Sequence, residues 1–313
     1  MKIFKENEEF VNDLTHIKQM QLTAANDIGT IDFFMLPIIN KDFHYNCLIN
    51  NLMKILHLHS LTGEELDKYN SPIIISQKAR ERYVSFRKNS NNKNKQNDLK
   101  DGELGELILF ALLEGHLKAP KILTKMSLKT SGGTYVHGSD GVHLYKKGDR
   151  YQLIFDESKL YQNIRSAIKN AFDSIHQFKN EIDSYGNHKA GINYEKSLLS
   201  NNLEKHVFSE EKKEIIEQLI IPCEFQKNIS IDDAFSIFIG YEINIEQEQT
   251  KYSDSEFELK IKEKIKKDID NLEKLFNDHI KKLNLYMHSF YIYLIPFTKL
   301  EENRSKIINR ILS

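Results

Sequence analysis

Apolar residues recur along this chain with two different periods. From Phe43 to Leu58 (FHYNCLINNLMKILHL) they fall three and four apart, the spacing of an amphipathic helix. DGELGELILFALLEGHL at 101–117 reads as a second helix, and Ile164, Ile168, Ala171, Phe172, Ile175 and Phe178 mark a third across 162–180. Helical character also covers 78–86, 208–221, a long charged run at about 253–285, and 299–312. Extended pieces are expected at 121–130 and 134–137, and apolar strands at 234–245 and 289–297. The KKGD turn folds 140–145 back onto 150–159 as a hairpin. SPIIIS at 71–76 is short and β-branched, and 182–206 reads as irregular.

Residues 87–100, RKNSNNKNKQNDLK, are polar with no apolar period, which predicts an exposed loop or linker. That places a boundary there, with a mostly helical N-terminal region over 1–97 that engages partner or substrate, and a second domain over 98–313. The order after residue 100 is helix, three strands, helix, strand, helix, strand, helix. It predicts an α/β sandwich around a central mixed sheet flanked by helices.

One strand breaks its own pattern. Side chains two apart in a strand share a face, so Tyr151, Leu153, Phe155, Glu157 and Lys159 form one row that turns from apolar to ionic. The opposite row, with Gln152, Asp156 and Ser158, is where surface decoration is expected.

Bulk composition narrows the choices little. The chain has 313 residues, 28% charged and 40% hydrophobic, with a net charge of −1. A soluble globular protein is the default, and any nucleic-acid contact must come from a local basic stripe. Cys47 and Cys223 have no CxxC partner, so they make no metal knuckle between them. MKIFKENEEF lacks the apolar core of a secretory signal, and the longest apolar run, FYIYLIPF at 290–297, is far shorter than the roughly 20 residues that span a bilayer. No membrane contact and a cytoplasmic location are expected.

A hard divalent cation such as Mg2+ takes oxygen ligands, usually a couple of carboxylates with waters completing the shell. Phosphodiester hydrolysis needs such an ion against the scissile phosphate, an activated water, and positive charge to offset the transition state. Asp140 and Glu157, on neighbouring strands, supply two carboxylates, and Lys159 on the same row supplies the cation that orients water. Glu103 and Glu106, one turn apart on the preceding helix, are candidates for a third carboxylate.

Asp140, an interval of 16 residues, and Glu157-Ser158-Lys159, all behind an acidic helix, resemble the PD-(D/E)xK nuclease superfamily, with Ser139 where the motif has Pro. LGELILFALL, GSDGVH and FDESKLY together look like the HamA family, nuclease subunits of Hachiman anti-phage defence, whose C-terminal domain is shared with AbpA. The resemblance covers about residues 100–313 well and 1–99 loosely. It implies a restriction-endonuclease-like fold and a bacterial defence effector that degrades DNA with a HamB-like helicase partner. It also implies Mg2+, or Mn2+, held by Asp140, Glu157 and Glu106, with Glu103 the rival helical acid and Lys159 the catalytic lysine. Two alternatives stay open: a non-catalytic subunit that docks DNA or a helicase, and a restriction or repair nuclease of the same fold.

Other residues carry weaker signals. Lys78, Arg80, Arg82, Arg87 and Lys88, with Tyr83 and Phe86 interleaved, read either as phosphate contacts or as a solvated helix face. Gln162, just past the lysine strand, reads as a further candidate for backbone-phosphate contact. His57 and His59 stand at i and i+2, which do not face one another on a helix, so ligation is disfavoured. His143 reads as a hydrogen-bonded structural histidine. The four glycines of 128–141 form neither a Walker A nor a GxGxxG pattern, which disfavours nucleotide binding.

Overall fold

The computed structural model describes residues 4–25, 27–91, 102–124, 138–148, 150–202, 231–270 and 272–313. Helix α1 (Lys5–Asn12) leads into strands β1 (Thr15–Gln21) and β2 (Gly29–Met35), the short pair β3 (Ile38–Ile39) and β4 (Asp42–Phe43), and helices α2 (Tyr45–Ser60), α3 (Gly63–Lys68) and α4 (Pro72–Asn91). Next come α5 (Glu103–Leu112), continued by a π-helical turn at Leu113–Leu117, and strands β5 (Lys121–Thr124), β6 (Gly141–Lys147) and β7 (Arg150–Tyr161). Helices α6 (Ile164–Asn180) and α7 (Ile192–Asn202) precede β8 (Ile231–Glu242). The remainder is α8 (Glu246–Lys251), α9 (Asp254–Ile269), α10 (Leu272–Lys282), β9 (Ser289–Phe297) and α11 (Leu300–Leu312).

Among the described residues the main sheet has seven strands in the order β1-β2-β9-β8-β7-β6-β5. Strands β2, β9, β8 and β7 run parallel, while β1, β6 and β5 are antiparallel to their neighbours. Parallel strands are covered on both faces and therefore read as unbroken apolar runs. SFYIYLIPF, buried along its whole length, is such a strand. One face is covered by α5, whose Gly105 lies so close to β7 that an added Cβ would come within 2.5 Å of Leu160 and 3.0 Å of Ser158. On the other face α6 sets Phe178 against Phe155 at 5.3 Å between ring centroids, and Phe172 bridges to Phe290 of β9 and Phe276 of α10.

The mixed α/β class with helices on both sides of the sheet is as the sequence predicts. The first forty residues differ from the helical expectation, because β1 and β2 join the sheet and hydrogen-bond onto β9, so the sheet runs across the boundary drawn at residue 97. Ile73–Ile75 are β-branched yet helical: Pro72 opens α4, where a missing N–H costs nothing, and Ile75 N donates to Ser71 O at 3.0 Å. The charged run at 253–285 is two helices, α9 and α10, and 192–202 is helical rather than irregular. The helix expected at 208–221 and the extended pieces beyond 124 lie outside the described residues.

Candidate active site

The antiparallel register of β6 on β7 sets Val142 against Phe155, so the residues preceding β6 reach the 156–158 stretch of β7. Asp140 N donates to Asp156 O at 2.9 Å, and the Asp140 carboxylate then takes over the ladder: Oδ2 accepts from Ser158 N at 2.8 Å and from Ser158 Oγ at 3.0 Å. A carboxylate accepting a backbone N–H is fixed in direction as well as position.

Glu157 and Lys159 form an ion pair with side chains only 15% and 19% exposed. Burial pushes the Lys159 ammonium down, but the charge and hydrogen bond of Glu157, together with the charge of Asp140, outweigh it and leave its pKa raised. The cation is therefore locked on. Lys159 thus pairs with Glu157 and lies within electrostatic reach of Asp140.

The helical acids start from the other layer. Alternation puts Glu157 and Lys159 on the Phe155 face, toward α6, whereas Ser158 and Leu160 face Gly105 of α5. Glu103 and Glu106 are both buried on α5. Among the described residues, no three His, Cys, Asp or Glu side chains form a group able to hold a metal ion.

The row opposite Glu157 is not solvent-facing, a correction to the sequence expectation. Gln152, Asp156 and Ser158 are buried and hydrogen-bonded, because β7 is a central strand with helices on both sides. Gln152 donates to Ser289 Oγ at 2.9 Å and accepts from Tyr291 Oη at 2.6 Å. Asp156 accepts from Ser236 Oγ at 2.7 Å and faces His143 Nε2 at 3.2 Å, while His143 Nδ1 meets Ala119 O at 2.8 Å. His143 is thus the structural histidine its context predicted. His59 is buried, and burial first, then Lys121, drives its pKa down to about 3.

Sequence reasoning missed Glu195. This buried α7 residue holds the turn into β6, accepting from Ser139 N at 3.2 Å and from Ser139 Oγ at 3.1 Å. No motif marked it, and its helix was read as irregular.

The proposed phosphate contacts are partly committed elsewhere. Arg82 forks onto Glu65 and donates to Ser60 O at 3.1 Å, tying α4 to α3 and the end of α2. Lys78 pairs with Glu81 at 2.7 Å, and Arg80 Nη1 donates to Ser313 O at 3.3 Å. Arg87 and Lys88 lie on α4, but their side chains fall outside the described residues. Gln162 is exposed in the turn between β7 and α6. No helix among the described residues is long and apolar enough to cross a membrane.

No curated protein matches this chain. The family model for HamA matches residues 8–311, both sides of the basic segment included, so the chain belongs to the HamA family of Hachiman defence-associated proteins.

Proposed function

We propose that this chain is a metal-dependent deoxyribonuclease of restriction-endonuclease-like fold, working with a HamB-like helicase partner in anti-phage defence. The observation that carries the reading is the largely buried Glu157–Lys159 ion pair on β7, with the Asp140 carboxylate anchored on Ser158, the residue between them. Asp140 and Glu157 would hold a Mg2+ or Mn2+ ion, since hard-oxygen pairs of this kind suit both. Glu106 enters the proposal only as the helical acid the family likeness implies.

Bound there, the ion supplies Lewis-acid polarisation of the phosphate and a lowered pKa for water. Ser158 holds the Asp140 carboxylate in place with its N–H and hydroxyl. Lys159, with its pKa raised, is no general base near neutral pH. Its task is to place a fixed ammonium against the negative charge that grows on the phosphate and to orient the attacking water.

Plasmid DNA incubated with Mg2+ or with EDTA tests this, using wild type, Glu157→Ala and Lys159→Ala, each with and without the helicase. Metal-dependent loss of plasmid in wild type, reduced about a hundredfold or more in each variant, is expected. Normal cleavage by a folded Glu157→Ala protein would remove the site assignment. No cleavage by wild type under any condition, with partner or DNA binding intact, would replace the nuclease with a docking subunit.

A further inference from the structure

Asp140 lies between Ser139 and Gly141, and a ring of hydrogen bonds straddles it. Ser139 Oγ lies 3.0 Å from Gly141 O and 3.1 Å from Glu195 Oε1, its single proton shared between the two acceptors, while Glu195 Oε2 accepts Ser139 N–H at 3.2 Å. The N–H and the hydroxyl of Ser139 thus both face a single carboxylate. Gly138 completes the seat: a Cβ there would come 2.0 Å from Glu195 Oε2, so only glycine admits the carboxylate so closely. The helix that carries Glu195 is pinned to β8 by the neighbouring Lys196, which pairs with Asp233 at 2.8 Å.

We propose that Glu195 is a positioning residue for Asp140, fixing the turn that aims its carboxylate at Ser158 and at a bound divalent cation. The proposal rests on the nuclease reading of this site. A buried carboxylate is costly unless its lone pairs are used, and Glu195 Oε2 accepts the Ser139 N–H. Metal-ligating carboxylates depend on such outer partners for orientation, and losing one typically weakens metal affinity about 10–100-fold. Glutamine at 195 would preserve the ring: its carbonyl accepts Ser139 N–H, its amide donates to Ser139 Oγ, and that hydroxyl donates to Gly141 O. Alanine would break it.

The test uses the full chain as wild type, Glu195→Ala, Glu195→Gln and Gly138→Ala. Calorimetric titration with Mn2+ is read beside hydrogen exchange at 139–141, the melting temperature, and kcat and KM on plasmid DNA. Expected are Mn2+ binding weakened about tenfold or more in Glu195→Ala, faster exchange at 139–141, a lower kcat at unchanged KM, and recovery in Glu195→Gln. Should Glu195→Ala not fold, Gly138→Ala gives the same readout, because it displaces the carboxylate without removing it. Wild-type Mn2+ affinity in folded Glu195→Ala or Gly138→Ala overturns the positioning role alone. A wild-type chain that binds no Mn2+ overturns the nuclease reading instead. Hydrogen exchange then decides the turn by itself, equal rates at 139–141 in wild type and Glu195→Ala being the result that rejects the clamp.

Discussion

Replacing His143 with glutamine should change how the fold responds to pH. The imidazole is fully buried, with Nδ1 donating to the Ala119 carbonyl at 2.8 Å and Nε2 facing the Asp156 carboxylate at 3.2 Å. A carbonyl only accepts, so Nδ1 carries a proton, and the ion pair with Asp156 calls for a second proton on Nε2. Burial favours the neutral ring, but the charge and hydrogen bond of Asp156 and the Ala119 carbonyl outweigh it, and the pKa rises above its ordinary 6.5.

Above that ordinary value the unfolded chain has released the proton while the folded chain still holds it. Stability from this pair is complete below 6.5 and is lost as pH climbs toward the raised folded value. One proton gives a slope of up to about 1.4 kcal/mol per pH unit in that window. Urea unfolding of wild type and His143→Gln from about pH 6 to pH 9 measures the difference, which should shrink as pH rises. A difference that stays constant across the range would show that the folded protein does not hold the imidazolium, and the ion-pair reasoning would fail. Asp156→Asn should cost about 3–5 kcal/mol at neutral pH, since it strips a buried cation of its partner.

Gly105→Ala forces a Cβ to within 2.5 Å of Leu160 and 3.0 Å of Ser158, and should lower stability by about 1–3 kcal/mol. An unchanged urea midpoint would mean that α5 does not press so closely on β7. Arg82→Ala removes the fork to Glu65 and the bond to Ser60 O, and should cost about 1–3 kcal/mol, read as a lower melting temperature. If the melt is unmoved and only DNA affinity falls, Arg82 is a phosphate contact after all.

The central strands were legible because their composition leaves no alternative. FYIYLIPF has nowhere to go but a doubly covered strand, and the ionic end of the Tyr151–Lys159 row stood out because it interrupts an apolar one. The alternation rule then misled at Gln152, Asp156 and Ser158. It assumes one wet face, and in a central strand polar side chains on the second face must find partners instead. β1, THIKQMQ, offers little apolar signal because it is an edge strand, and in β2 Asp32 breaks the run. Asp32 is tolerated there only because His16 and Gln19 of β1 each reach it at 2.9 Å. Glu195 was beyond reach for another reason: nothing local says which loop a helical carboxylate will meet 56 positions away.

The pairing of β2 with β9 has a consequence for biosynthesis. Ile31 of β2 finds its partner in Ile292, so the β1–β2 hairpin leaves the ribosome long before the strand that completes it. At ordinary elongation rates of about 5–20 residues per second, its open edge waits on the order of 13–50 s. Throughout that interval Gly29–Phe33 presents unpaired N–H and C=O groups beside buried-type side chains, a template for other nascent chains. β8 waits in the same way, since its pairing from Ala234 to Glu242 is also with β9. Translation that stops short of residue 289 therefore leaves two open strand edges, and such chains are destined for chaperones or proteolysis rather than for partial activity.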